Sequence, residues 1–138
     1  MLADDRPVSG VVVYVLRRTR DGTRVLFLHR SGGPYRDSWW PVAGTPKAGE
    51  TPLATARREL KEETGLSPTL LHDFGMEIPN LDGVRILVAF VAYVEADVQI
   101  TMDHEHDDYR WLTAEEAIAI VPAGSRHFLE HLQATFMQ

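Results

Sequence analysis

Cysteine is absent from the 138-residue sequence. This absence excludes disulfide bonds, cysteine-ligated zinc and a thiol nucleophile. Long apolar runs are also lacking, because the longest, residues 86–94, is far shorter than the ~20 residues of a membrane-spanning helix. We therefore expect no membrane association. Residues 1–7 carry charges and hold no apolar core of a secretion signal, so we expect a cytoplasmic protein.

An excess of positive charge is lacking too. The sequence has 14 Lys and Arg against 20 Asp and Glu, a net charge of −6. This balance argues against nonspecific binding to nucleic acid, although a cation could still bridge the protein to a small phosphorylated ligand. The 44% apolar and 25% charged residues are typical of a globular protein. We expect a single domain over residues 1–138, as a monomer or a homodimer.

Segments rich in β-branched and aromatic residues predict several strands. A Val-rich segment at 8–16 predicts the first strand, and Asp21 with Gly22 predicts a hairpin turn into a second strand at 24–29. Further strands are predicted at 39–42, 70–78, 84–94 and 109–112, and a turn at Leu81, Asp82 and Gly83 is predicted between the strands at 70–78 and 84–94. Glycine and proline predict loops at 31–38 and 43–50.

Capping residues mark three helices. Thr51 is a candidate N-cap before Pro52, and Gly65 is suited to end that helix in a left-handed conformation. Thr113 and Glu116 match a capping box, and Ser125 is the candidate cap of a last helix. The order of elements predicts a mixed α/β (α+β) fold, in which helices pack on the faces of a sheet.

Three glutamates are concentrated on the first of these helices. Glu59, Glu62 and Glu63 are spaced at i, i+3 and i+4 and therefore project from one side of it. One interpretation is a solvated acidic surface, which such a helix tolerates at little energetic cost. The other is a site for a hard cation such as Mg²⁺ or Mn²⁺, which binds clustered carboxylates and bridges them to phosphates. Helix geometry alone does not choose between the two.

The spacing of the whole segment at 44–66 does choose. It resembles the Nudix box, Gly-x5-Glu-x7-Arg-Glu-U-x-Glu-Glu-x-Gly-U, where U is a bulky aliphatic residue. The nine specified positions all agree: Gly44, Glu50, Arg58, Glu59, Leu60, Glu62, Glu63, Gly65 and Leu66. Seven fixed residue types at ~6% usage each would coincide by chance at ~10⁻⁹ per starting position. The segment therefore resembles the catalytic motif of the Nudix hydrolases.

This resemblance implies a fold, a reaction and a set of roles. It implies a mixed sheet between helices, and a metal-dependent hydrolase that cleaves a nucleoside diphosphate linked to another moiety by attack of water at phosphorus. Mg²⁺ or Mn²⁺ would be bound by Glu59 and Glu63, with Glu62 as a ligand or a support and the carbonyl of Ala43 completing the site. Arg58 would pair with Glu50 and hold the loop against the helix.

A second acidic segment, residues 102–112, contains two histidines. It is either a polar surface loop or part of a metal or base site; His104 and His106 alone are too few ligands for a zinc site. The run Glu105, His106, Tyr109, Trp111 and Leu112 resembles a segment of the diadenosine polyphosphate and dihydroneopterin triphosphate branches of the Nudix family. That resemblance implies that Glu105 is a metal ligand or the general base.

Three residues are candidates for contacts with the substrate. Arg30 and Arg36 offer forked donors to phosphate oxygens, and the indole of Trp39 is suited to stack on a purine or pterin ring. The alternatives are a core position for Trp39 and a solvated loop position for Arg36. The expected partner is a small nucleotide-like diphosphate compound.

The resemblance leaves the substrate open. A nucleoside triphosphate or dihydroneopterin triphosphate that releases pyrophosphate fits best, and a dinucleoside polyphosphate is the alternative. A noncatalytic nucleotide-binding module is disfavoured because the box is intact. RNA decapping is disfavoured by the acidic charge and the lack of a basic stripe.

Overall fold

The structure is a computed structural model that describes residues 7–79 and 84–138. The strands within these residues are β1 Val8–Thr19, β2 Gly22–Arg30, β3 Trp39–Trp40, β4 Val42–Gly44, β5 His72–Asp73, β6 Ile78–Pro79, β7 Ile86–Val94 and β8 His106–Leu112. The helices are α1 Pro52–Thr64, α2 Ala114–Ile120 and α3 Arg126–Phe136, with a 3₁₀ turn at Ala123–Ser125 before α3. The predicted turn at Leu81, Asp82 and Gly83 lies outside the described residues.

The central strand of the mixed sheet is β1. It pairs in parallel with β7 along its length, and its other edge is shared by two antiparallel partners. The hairpin partner β2 pairs with β1 only up to Val25, and β4 pairs with residues Val11 to Val13. Past that point β2 pairs with β3 on one edge and β8 on the other. The chain thus crosses from β2 to β1 at residues 39–44, which brings the end of β4 to the start of α1.

Helices cover both faces of the sheet, as predicted. Alternate β1 residues Val12, Tyr14 and Leu16 pack in the core that also contains Phe128 of α3. Their neighbours in β1, Val11, Val13 and Val15, pack in a second core with Leu60 of α1. Burial on both faces explains the nearly continuous apolar run of this strand. Among the described residues, no helix has the length and apolar character needed to cross a bilayer.

Four sequence predictions need correction. The strand predicted at 70–78 is two short strands, because Gly75 takes a left-handed turn with φ of 79° between β5 and β6. The loop predicted from residue 43 begins later, since Ala43 and Gly44 pair with β1. The predicted strand at 84–94 begins at Ile86. Ser125 has helical dihedrals and makes no side-chain cap, because the 3₁₀ turn leads directly into α3.

Candidate active site

The helix α1 begins and ends at the predicted residues. The Thr51 hydroxyl accepts a hydrogen bond from the Ala54 amide at 3.1 Å, and Pro52 occupies the first helical position. At the other end Gly65 is left-handed, with φ of 79°, and its amide bonds to the Lys61 carbonyl. These caps fix the register of the three glutamates relative to the sheet.

The carboxylate of Glu59 lies directly against the backbone of Gly44. A Cβ atom built at Gly44 would stand 2.2 Å from Cδ of Glu59 and 2.5 Å from its Oε1. Any side chain at position 44 would therefore occupy the space of that carboxylate. This contact explains the first glycine of the motif in physical terms, since α1 can approach the end of β4 only where no side chain intervenes.

Arg58 ties the preceding loop to the helix, as predicted. Its Nε and Nη2 each donate to a different oxygen of Glu50 at 2.9 Å, which is a bidentate pair, and Nη2 also donates to the Thr45 carbonyl at 3.1 Å. The Arg58 hydrogen bonds, followed by bonds from the Lys47 amide and the Thr55 hydroxyl, hold the pKa of Glu50 well below its usual range. Glu50 is therefore an ionised anchor for the loop.

The same guanidinium also reaches the carboxylates on its own helix. Nη1 of Arg58 donates to Glu59 at 2.7 Å and to Glu62 at 3.3 Å. The side chain of Glu62 is half exposed, whereas that of Glu59 is only 15% exposed. Arg58 thus partly neutralises two of the three glutamates.

Glu63 is the buried member of the set, with 4% of its surface exposed. Burial is the main factor that raises the pKa of Glu63 well above its ordinary value. Hydrogen bonding to Glu59 and the charges of Glu59 and Asp103 raise this pKa further. A hydrogen bond from the Ala43 amide to the carboxyl has the opposite effect. Burial and the neighbouring carboxylates therefore favour the neutral form of Glu63, and a cation bound beside it would favour the ionised form.

The donor chemistry at this place fits a hard divalent cation. Glu59 and Glu63 supply oxygen atoms in a largely buried cleft, and Ala43 lies at its edge through its amide. In the part of the chain that the structure describes, no three His, Asp or Glu side chains are already arranged as a complete metal cage. Glu59 and Glu62 are instead paired with Arg58.

Glu105 and Arg30 lie together. Nη2 of Arg30 donates to Oε2 of Glu105 at 3.1 Å, and the Ser31 amide bonds to the Glu105 carbonyl at 2.9 Å. The Glu105 side chain is 51% exposed, and among the described residues the buried Nε of Arg30 has no hydrogen-bond partner. Glu105, the predicted metal ligand or general base, and Arg30, a predicted contact of the substrate phosphates, thus form one ion pair.

Trp39 borders a hollow of about 490 Å³ that is also lined by His29, Asp107, Asp108 and Arg110. Its ring centroid lies 4.9 Å from that of His29 and 4.5 Å from the Arg110 guanidinium carbon. The ring packs against the core under α3, on the face of the sheet opposite to α1. Arg36 is exposed in the loop after β2, and it lines neither the carboxylate cleft at α1 nor the hollow beside Trp39.

Asp103 was not among the residues predicted from the sequence, and His106 was considered only as an insufficient zinc ligand and as a member of the run that includes Glu105. His106 and Asp103 are hydrogen-bonded to one another, and His106 faces Glu63. The i, i+3 spacing of Asp103 and His106 is visible in the sequence. Their approach to α1 depends on packing between distant segments, which no local pattern encodes.

Comparison with known proteins agrees with this geometry. The sequence profile of the NUDIX domain matches residues 7–132. The asymmetrical bis(5'-nucleosyl)-tetraphosphatase of Rattus norvegicus is 30% identical, over 86% of this chain and 80% of that protein. The dihydroneopterin triphosphate diphosphatase of Haemophilus influenzae is 34% identical, over 78% of this chain and 74% of that protein.

This chain is also similar to a third relative and to a solved structure. A Myxococcus xanthus protein named octanoyltransferase is 30% identical over 84% of this chain, but the match spans only 34% of that protein. The crystal structure of a Caenorhabditis elegans Ap4A hydrolase binary complex superposes with a TM-score of 0.77 at 22% identity, covering 91% of this chain and 96% of that one. That likeness supports the fold.

Proposed function

The chain belongs to the Nudix family of hydrolases, and from this premise we propose that it cleaves a nucleoside or dihydroneopterin triphosphate with release of pyrophosphate, in a reaction that needs Mg²⁺ or Mn²⁺. The proposal is supported by the NUDIX family match and by two relatives whose names state a phosphatase activity on a polyphosphate compound, the rat tetraphosphatase and the Haemophilus influenzae diphosphatase. The observation that carries the proposal is the buried Glu63 carboxyl beside Glu59 in the cleft at Gly44.

Glu59 and Glu63 would hold the cation, with Glu62 and the Ala43 carbonyl as further candidate ligands. The bound cation supplies positive charge that neutralises phosphate oxygens and lowers the pKa of water. Arg58 and Glu50 keep the helix and the loop in register, so that the carboxylates stay in the cleft while the substrate enters.

The pair of Arg30 and Glu105 suggests how the base becomes available. In the present geometry Arg30 donates to Glu105, so neither group is free for its own role. A substrate phosphate competes for the guanidinium and releases the carboxylate. Glu105 then takes a proton from the attacking water, the new P–O bond forms, and the bridging P–O bond breaks with pyrophosphate as the leaving group.

The hollow beside Trp39 is a candidate place for the ring of the substrate, which would have to extend from the cation site to the opposite face of the sheet. Its indole, the His29 imidazole and the Arg110 guanidinium provide flat surfaces for an aromatic base, and Asp107 and Asp108 provide hydrogen-bond acceptors. Binding would require Arg110 or His29 to yield its place on the indole. Arg36 is a candidate for the distal end of the phosphate chain.

A dinucleoside polyphosphate is the second candidate substrate. It is favoured by the rat relative, whose name states that activity and which aligns with most of this chain. A substrate of this kind needs only one of its two bases in the hollow.

A substrate panel separates the two candidates. Purified protein with Mn²⁺ is given nucleoside triphosphates, dihydroneopterin triphosphate and diadenosine tetraphosphate, and the products are resolved by ion-exchange chromatography. The proposal predicts pyrophosphate and a monophosphate from a triphosphate at the highest kcat/KM. A higher kcat/KM on diadenosine tetraphosphate, with ATP and AMP as products, would establish the second candidate instead.

A further inference from the structure

A row of three polar side chains, Asp103, His106 and Glu63, runs beside the proposed cation site, and the last two are buried. The side chain of His106 is 2% exposed, and its Nδ1 lies 2.6 Å from Oδ1 of Asp103. Its Nε2 lies 3.7 Å from Oε1 of Glu63. The hydrogen bond between Nδ1 of His106 and Asp103 fixes the plane of the ring.

The backbone around His106 is anchored independently of these side chains. The Thr101 amide donates to the Thr64 carbonyl at 2.9 Å, which attaches the segment before His106 to the end of α1. Met102 packs in the same core as Leu60 of α1. His106 itself pairs with Arg30 at the start of β8. The ring is therefore held in place from both α1 and β2.

We propose that His106 is a positioning residue, which is held by Asp103 and orients the Glu63 carboxyl towards Glu59 and the cation. The inference rests on the proposed function, because it assigns a role relative to the cation that Glu63 would bind. Replacement of a residue that contacts and orients a metal ligand commonly lowers the metal affinity or the activity of a protein.

The arrangement of the ring distinguishes this role from that of a metal ligand. Both ring nitrogens point at carboxyl groups, and almost none of the side chain is open to the cleft. The Nε2 contact is slightly too long for a hydrogen bond. Contacts of this kind often tighten when an active site is loaded. On the other side, the Ala43 amide bonds to the same Glu63 carboxyl, so the carboxyl is held between a strand and a histidine.

His106→Asn gives a selective test. The shorter amide can still donate to Asp103, but it no longer reaches Glu63. Binding of Mn²⁺ to purified, chelator-stripped protein is measured by electron paramagnetic resonance, alongside metal-free thermal unfolding and kcat. We expect Mn²⁺ affinity to fall about 10- to 100-fold. His106→Gln, whose amide extends towards the position of Nε2, should recover part of that loss.

The matched control is His104→Asn, a change of the same kind at an exposed position two residues away. It should leave Mn²⁺ affinity and turnover within about twofold of the wild type. A purely structural role for His106 would lower the unfolding temperature of His106→Asn and leave the Mn²⁺ affinity of the folded protein unchanged, which would overturn the inference.

A second variant, Asp103→Ala, keeps the inference testable if His106→Asn does not fold. Asp103→Ala removes the partner that orients the ring while leaving His106 in place, and it should weaken Mn²⁺ binding in the same direction. Wild-type affinity in a folded Asp103→Ala protein would overturn the inference if His106→Asn does not fold. Failure of the wild-type protein itself to bind Mn²⁺ would instead contradict the proposed function, so the two failures are distinguishable.

Discussion

Single residues decide whether the carboxylates of α1 can meet the sheet. Gly44 is required because Glu59 occupies the place of its missing side chain. Glu63 is buried beside Glu59, where desolvation favours the neutral carboxyl and a bound cation would favour the ionised form. Gly44 lies in the strand β4, whereas Glu59 and Glu63 lie in the helix α1. The Nudix box therefore spans both elements, which meet at this cleft.

Replacing Gly44 by Ala should weaken metal binding more than it weakens the fold. The new methyl group displaces the Glu59 carboxylate, because the clash is with the end of a side chain rather than with backbone. We expect about a 10-fold or larger loss of Mn²⁺ affinity in a titration followed by electron paramagnetic resonance. Gly124→Ala is the control, since no atom lies within 4 Å of a Cβ there. Equal Mn²⁺ affinity in the two variants would refute this explanation of Gly44.

Glu105→Gln tests the role of the carboxylate that pairs with Arg30. A general base at this position predicts a rate loss of about 10²- to 10⁴-fold with little change in substrate binding. A metal ligand predicts a loss that a higher Mn²⁺ concentration partly restores. Turnover measured against Mn²⁺ concentration separates the two. A change of less than about threefold would mean that Glu105 is a solvated loop residue.

At the scale of elements, the sequence predicts best where local signals coincide. The helix α1 has an N-cap, a proline at its first position and a C-terminal glycine, and all three act as expected. The capping box of α2 is also confirmed, with Thr113 and Glu116 bonded reciprocally. The Glu50–Arg58 pair could be predicted because the motif links the two residues directly.

Elements whose pairing depends on distant residues were predicted less well. The strands β5 and β6 have two residues each, and only their shared partner β7 gives them extended structure. The strand β4 overlaps a segment whose glycines and proline predict a loop at 43–50, and it is a strand because it pairs with the edge of β1 that β2 leaves open. The contact of His106 with Glu63 depends on the packing of β8 against α1 and has no local signature.

Arg58→Lys should loosen the connection between loop and helix. A lysine ammonium cannot reproduce the two parallel bonds to Glu50 together with the bonds to Thr45 and Glu59. We expect kcat/KM to fall about 10- to 100-fold, measured at saturating Mn²⁺. Arg57→Lys is the matched control on the same helix, because Arg57 bonds to the carbonyls of Pro68 and Thr69 and, among the described residues, to no carboxylate of the site. Equal effects of the two changes would contradict the assigned role.

At the scale of the whole molecule, the site couples stability to pH. The pKa of Glu63 is raised in the folded protein, so above the ordinary carboxyl pKa of ~4.3 the folded state binds more protons than the unfolded state. The free energy of unfolding of the metal-free protein therefore falls as the pH rises above that value.

Glu63→Gln removes this contribution to the pH dependence. Urea unfolding in the presence of a chelator, at about pH 5 and about pH 8, should show a larger loss of stability for the wild type than for the variant. The variant should fold and should have turnover lowered by at least about 100-fold, because Gln lacks the charge that a hard cation requires. Identical pH slopes for the two proteins would show that Glu63 is ionised in the metal-free fold.

The measurement that tests the central claim most directly is turnover of chelator-stripped wild-type protein against added Mn²⁺. If Glu59 and Glu63 form the cation site of a Nudix hydrolase, release of pyrophosphate from a triphosphate substrate is absent without metal and rises to saturation as Mn²⁺ is restored. Full turnover in rigorously metal-free buffer would contradict the account, because the buried carboxyl groups would then have no part in a metal-dependent reaction.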